Sequence, residues 1–296
     1  MQILLGLIHG GDYIVSHFLM DMIIFYSLIL IVGGGQAFAV VPNWAKNIQR
    51  LVILNFITTF IWMMLSVHDM TESWDVDSLW MGMTHTSFAH IWCYKLILIA
   101  ALYFVLRFTA VKKIVYILIP LVIVYPFANV LTSHATAAED FIFLRASLDW
   151  VHSLTAAVWT GGLCALFFWL NKKIESKIKL EPQVSYQVVT RFSHFAMAST
   201  ALIGVSGLVM AWLNGVSLFK PWTTDYGMLV LAKLGFFCLA LGAAAVNQFL
   251  HLRTWNPENE NEFDLALRRE VGIELLLVLI VFTFAGFLTR TALPGG

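Results

Sequence analysis

The feature that most constrains this chain is a series of eight apolar runs, each near the roughly 20 residues a helix needs to cross a bilayer. They fall at about 13–40, 48–67, 88–108, 113–132, 147–170, 187–213, 226–250 and 271–291. Across 296 residues, 59% are hydrophobic and only 12% charged, with a mean hydropathy of +0.80. An ordinary soluble domain carries about 25% charged residues, and a soluble fold of this length cannot hide so much apolar surface. The expected fold is therefore an all-α polytopic membrane protein with eight transmembrane helices. Nucleic-acid binding, disorder and soluble Rossmann or barrel enzymes are poor readings of such a chain.

An even number of spans puts both termini on one side, and the loops decide which, because Lys and Arg are retained in the cytoplasm. The connections after the first, third, fifth and seventh runs are basic, with Lys46, Arg50, Arg107, Lys112, Lys113, Lys172, Lys173, Arg253, Arg268 and Arg269 among their residues. The opposite loops hold Arg145 and Lys220, with Arg290 near the C-terminal end, and are otherwise acidic: Asp69, Glu72, Asp75, Asp77, Glu139, Asp140 and Asp225. Both termini are thus expected on the non-cytoplasmic side. The first residues lack both a basic segment and a small-residue cleavage site, so they are read as mature protein rather than a signal peptide. The segments TSFAHIWCYKL (86–96) and TDYGMLVLAKL (224–234) align without gaps at an offset of 138, matching Thr86 to Thr224 and Lys95 to Lys233. Two parallel four-helix halves, 1–132 and 133–296, are expected from this.

Of nine histidines, seven fall in the external loops or the external halves of the runs. Imidazole suits copper, zinc, nickel and haem iron, and thioether suits Cu(I), so this asymmetry points to a soft or borderline metal. The loop after the second run offers Met81, Met83 and His85 to Cu(I) or Cu(II), although ordinary packing also explains methionines. In the first run His17 and Asp21 stand at i and i+4, where a carboxylate orients an imidazole or is itself a ligand. His134 and His152 flank the short connection between the fourth and fifth runs. Asp149, His152, Ala156 and Trp159 share one helical stripe, and Ala156, Ala157, Gly161 and Gly162 let a neighbouring helix approach closely. Cys93, Cys164 and Cys238 have no metal-ligand spacing and read as packing residues.

Lys95, Lys233 and Glu274 lie inside apolar runs, where an unpaired charge costs at least about 2.5 kcal/mol. Each marks a polar interior, and with Trp159 and Asn247 they make up the expected transport path. The bland alternative is that Glu274 neutralises Arg268 or Arg269 while the lysines snorkel outward.

At this point the chain resembles the copper resistance protein D family of bacterial inner-membrane proteins. The resemblance is carried by Ser133-His134-Ala135, by Asp149 to Gly162, by Arg191-Phe192-Ser193 with Gly204 to Gly207, by Thr224-x-Tyr226-Gly227 with Lys233, by Asn247, and by Arg268 to Glu274. Ser133 departs from the family's usual Gly. The resemblance implies movement of copper from the periplasm across the inner membrane, beside a small soluble periplasmic copper-binding partner. Two other readings stay open on the residues alone. One is a b-type haem protein using the same histidines as axial ligands; the other is an assembly factor that delivers copper without transport. No phosphate loop, HExxH, GxSxG or paired-carboxylate constellation appears, so no enzyme is expected. Lipid is the implied surrounding, nucleic acid is not a partner, and homo-oligomer formation is left open.

Overall fold

The computed structural model describes residues 11–12, 14–16, 19–20, 22–23, 44–108, 120, 123–127, 130–131, 140–176, 182–217, 219–246, 249, 255–256, 259–289 and 291–294. Seven α-helices are complete among them: α1 (Trp44–Thr71), α2 (Val76–His85), α3 (Ser87–Phe108), α4 (Ile142–Ser176), α5 (Pro182–Leu213), α6 (Asp225–Val246) and α7 (Glu260–Leu288). Described residues at 11–23 and most of those at 120–130 are also helical, and no strand occurs among the described residues. All but α2 contain a segment long and apolar enough to cross a membrane, giving six candidate spans. They coincide with six of the eight apolar runs. The runs at 13–40 and 113–132 lie largely outside the described residues.

Helix α1 turns several polar groups inward and apolar ones outward. On α1, Ile53, Leu54, Ile57, Phe60 and Ile61 are exposed, whereas Asn55, Thr59, Trp62 and Ser66 are buried. That arrangement suits lipid, which solvates the apolar face and forces polar groups to find partners within the protein. The helices α4 and α7, with 35 and 29 residues, would run about 52 and 44 Å at 1.5 Å per residue, well beyond a 30 Å hydrocarbon core. Their overhang explains why α7 begins at Glu260, eleven residues before the apolar run. Its first turns bury Phe263 and Leu267 and lock on to α4, because Lys173 Nζ lies 2.7 Å from Glu260 Oε1 and 2.6 Å from Asp264 Oδ2. Lys173 also donates to Ser185 Oγ of α5 at 2.8 Å, so one buried ammonium ties three helix ends together.

Helix α4 packs on α5 and α7, α6 packs on α7, and α1 packs on both α2 and α3. Gly162 sets the α4–α5 approach: a Cβ there would stand 2.1 Å from Phe192 Cε2, as the small-residue reading expects. At the other end α5 stops in a Schellman turn, with Gly215 at φ +80° and Val216 N–H donating to the Ala211 carbonyl at 3.0 Å. Arg145 then fastens this corner, donating to Asn214 Oδ1 at 2.7 Å and to the Leu213 carbonyl at 2.6 Å. One apolar core runs through both sequence halves, joining Ile23, Ile48 and Ile99 to Trp159, Leu163 and Trp169.

Candidate functional site

The fourth predicted run and the loop around His134 supply half of the expected histidine pair. His134 lies outside the described residues, as do His17, Asp21 and Asn247. His152 is described, half-buried on α4 and facing α5, where its Nδ1 is 3.0 Å from Ser206 Oγ. The Ser206 hydroxyl donates its proton to the Leu202 carbonyl at 2.5 Å. The serine oxygen is therefore the acceptor and His152 Nδ1–H the donor. A neutral ring that donates from Nδ1 in this way carries its lone pair on Nε2, the arrangement in which an imidazole ligates a metal. Gly207 completes the seat, since a Cβ on it would stand 3.2 Å from His152 Cε1. The glycine-bearing stretch 204–207 thus has a local reason: the ring rests against the α5 backbone.

Below His152 on the same stripe, Trp159 is 2% exposed and meets Phe237 of α6 edge-on at 5.6 Å. Its Nε1 is buried with no hydrogen-bond partner among the described residues. Lys233 of α6 is half-buried and feels the charge of Asp149 at the start of the stripe. Tyr226, two helix turns outward on α6, accepts from Asn214 Nδ2 at 3.1 Å. Gly227 beside it is required by space: a Cβ would fall 2.0 Å from the Pro221 carbonyl oxygen.

The second charged site is more complete than the sequence suggested. Lys95 does not snorkel; its Nζ lies 2.8 Å from Asp12 Oδ2, with the two side chains 3% and 1% exposed. Asp12 Oδ1 accepts from Thr59 Oγ1 at 2.7 Å, Thr58 Oγ1 at 2.9 Å and Asn55 Nδ2 at 3.3 Å. Asn55 donates also to Ser16 Oγ at 2.8 Å and accepts from Tyr125 OH at 2.7 Å. The ammonium sits 4.3 Å from the centroid of the Trp92 ring. Asp12 was missed by sequence reasoning because it precedes the first apolar run. The usable signal was the pair of polar i, i+4 steps Asp12–Ser16 and Asn55–Thr59, each of which places two polar groups on one helical face.

Glu274 is 3% exposed on α7. Of the two arginines considered beside it, Arg268 Nη1 donates to Asn171 Oδ1 at 3.3 Å, and Arg269 Nη2 pairs with Glu270 at 2.8 Å.

The methionine-rich stretch is the helix α2 rather than a loop. Asp75 caps it, accepting from the Ser78 amide at 2.8 Å and from the Ser73 hydroxyl. These donors, the Ser73 hydroxyl first, hold the Asp75 carboxyl down to about 2. Helix phase separates Met81 from Met83. Met81 is 59% exposed, whereas Met83 packs against Trp62, Met63 and Trp92. His85 is exposed, its Nδ1 within 2.8 Å of Thr84 Oγ1 and 3.3 Å of the Met81 carbonyl. Among the described residues no three His, Cys, Asp or Glu side chains converge.

Comparison with known proteins places this geometry in a family. The family described as Copper resistance protein D matches residues 186–288, and that described as Copper resistance protein D-like, N-terminal domain matches residues 15–144. The Copper transport protein CutJ of Bacillus subtilis (strain 168) is 28% identical over 158 residues, which is 53% of this chain and 28% of that protein. The chain thus spans less than a third of the length of this curated relative. No solved structure matches. The two matches between them take in both halves of the sequence and the helices that carry Lys95, Ser206, Lys233 and Glu274, and the chain belongs to the copper resistance protein D family.

Proposed function

We propose that this protein takes up copper at the periplasmic face of the bacterial inner membrane, through His152 with His134, and passes it toward the cytoplasm. The observation that carries the reading is the seat of His152, where Ser206 Oγ lies 3.0 Å from Nδ1 and Gly207 leaves room for the ring. Such second-shell support is what a metal-ligating imidazole requires. Copper is cargo here, not a resident cofactor. His17 with Asp21 extends the entry site, and Trp159, Lys95, Lys233, Asn247 and Glu274 line the route. The same reading has eight spans in two parallel four-helix halves, 1–132 and 133–296, with both termini periplasmic. It has no catalytic step, and a small periplasmic copper-binding protein acts as donor. The relative named as a copper transport protein supports the cargo.

The test is copper accumulation in proteoliposomes holding the purified chain, with an absorption spectrum taken first. Uptake by the wild type and its loss in His152→Ala is the expected result. A Soret band with stoichiometric iron, or uptake unchanged in His134→Ala/His152→Ala, would overturn the reading. Copper bound without flux would identify a delivery factor instead.

A further inference from the structure

Sulfur-bearing side chains of three helices pack on one buried cluster at the end of α1 assigned above to the periplasmic side. Around the buried pair Trp62 and Trp92, whose rings meet edge-on at 6.3 Å, pack Met64 of α1, Met83 of α2 and Cys93 of α3, with Met63 fully enclosed. Gly82 brings α2 down on to α1, since a Cβ on it would stand 2.6 Å from Val67 Cγ1. One turn beyond Met64, His68 stacks on Trp74 at 4.1 Å, and its Nδ1 is buried with no hydrogen-bond partner among the described residues. A buried ring nitrogen without a partner is an uncompensated cost.

We propose that this cluster is a Cu(I) site, with Met64, Met83 and Cys93 as sulfur donors and His68 as the nitrogen donor. It rests on the copper-handling reading above and gives it a second, separate binding site in the N-terminal half. Soft thioether and thiolate ligands select Cu(I) over the hard ions, and thioethers bind it without giving up a proton. Cys93 coordinates as the thiolate, its proton passing to solvent, and so balances the metal's single charge. The site adjoins the buried ion pair, because Lys95 Nζ lies 4.3 Å from the centroid of the same Trp92 ring. Asp12 neutralises that ammonium at 2.8 Å, so a cation in the sulfur cluster meets no net positive charge beneath it. Along the axis of α1, His68 and Met64 lie nearer the periplasmic end than Thr59 and Asn55.

The experiment uses the full chain in detergent with Cys164→Ala and Cys238→Ser, so that Cys93 is its single thiol. Cu(I) is delivered anaerobically from a chromophoric chelator, and copper K-edge absorption reads the ligand atoms. We expect Cu–S scattering, and maleimide labelling of Cys93 suppressed at least about 10-fold at one equivalent of Cu(I). Met64→Leu/Met83→Leu, a near-isosteric exchange, should lose one copper equivalent and the Cu–S shell at an unchanged melting temperature. His152→Ala should keep both. Copper held through nitrogen alone and lost in His152→Ala overturns this site while leaving copper handling intact; binding of no copper at all overturns both. Should the double leucine variant not fold, unprotected Cys93 in the parent protein is sufficient to refute the site.

Discussion

The Asp12–Lys95 pair gives the sharpest prediction, because its two partners are unequally supported. Lys95→Met removes a buried ammonium of similar length and leaves the Asp12 carboxylate with three neutral donors, Thr58, Thr59 and Asn55. Asp12→Asn keeps an acceptor for the threonines but leaves Lys95 charged, with the rings of Trp92 and Tyr125 at 4.3 and 5.6 Å. Removing one member of a buried pair typically costs about 3–5 kcal/mol, whereas replacing both with neutral residues is often tolerated. At roughly 2–4 °C per kcal/mol for a domain of 150–250 residues, each single variant should melt roughly 6–20 °C lower. The Asn variant should be the worse, since a ring face returns only about 2 kcal/mol to a desolvated cation. The double variant Asp12→Asn/Lys95→Met should recover most of the loss. The assay is a thermal melt in detergent run as a double-mutant cycle, with copper uptake measured in parallel. Strictly additive losses would refute the reasoning, since they would mean that the two charges do not depend on each other. Uptake surviving in the recovered double variant would make the pair scaffold rather than path.

Ser206→Ala should leave α4 and α5 packed but weaken copper binding roughly 10–100-fold, the usual effect of removing a partner that orients a ligating histidine; chelator competition reads it, and unchanged affinity would detach Ser206 from the site. Gly162→Ala should destabilise by roughly 1–3 kcal/mol through overpacking, because its Cβ would meet Phe192 at 2.1 Å; the melt should recover in Gly162→Ala/Phe192→Leu. Asp75 is held ionised down to about 2, below its ordinary value. A depressed pKa contributes to folding above the unfolded value of about 3.9 and is lost as pH falls through 2. Amides of α2 should therefore lose protection between about pH 4 and 2, corrected for intrinsic exchange, and Asp75→Ala should remove that pH dependence.

The spans were legible because hydropathy is local: the runs at 48–67 and 226–250 carry enough apolar residues that α1 and α6 follow directly. The small-residue reading at Gly162 held for the same reason, since it needs only a close neighbour. Helix ends were less legible. The turns from Glu260 to Glu270 are charged, and nothing in a hydropathy window distinguishes them from a loop until Lys173 of α4 is seen to hold them. The partner of Lys95 was hidden by distance along the chain, being 83 residues away. The methionine-rich segment was misjudged in phase: taken as a loop, it offers Met81, Met83 and His85 together, whereas helix α2 turns Met83 inward and leaves Met81 outside. Ser73 and Asp75 ahead of Ser78 were the available cue to that helix.

The proposed duplication acquires physical content from the two buried lysines. Lys95 and Lys233 align in sequence, and each answers to an aspartate from the first helix of its own half: Asp12 through a 2.8 Å contact, Asp149 through its field. Their spacing to the lysine is nearly the same in both halves, as the proposed duplication requires. The halves then differ in how the aspartate is used. Asp12 is closed in by two threonines, an asparagine and the ammonium, so its half holds a fixed counter-charge beneath a sulfur-lined mouth. Asp149 stands one turn before His152, whose ring meets Ser206 of α5. Under the proposed duplication, an acid–lysine frame kept twice, with sulfur above one copy and imidazole beside the other, would hold both proposed sets of ligands. On that proposal the repeated frame holds charge within the membrane, and the proposed copper donors are not themselves repeated.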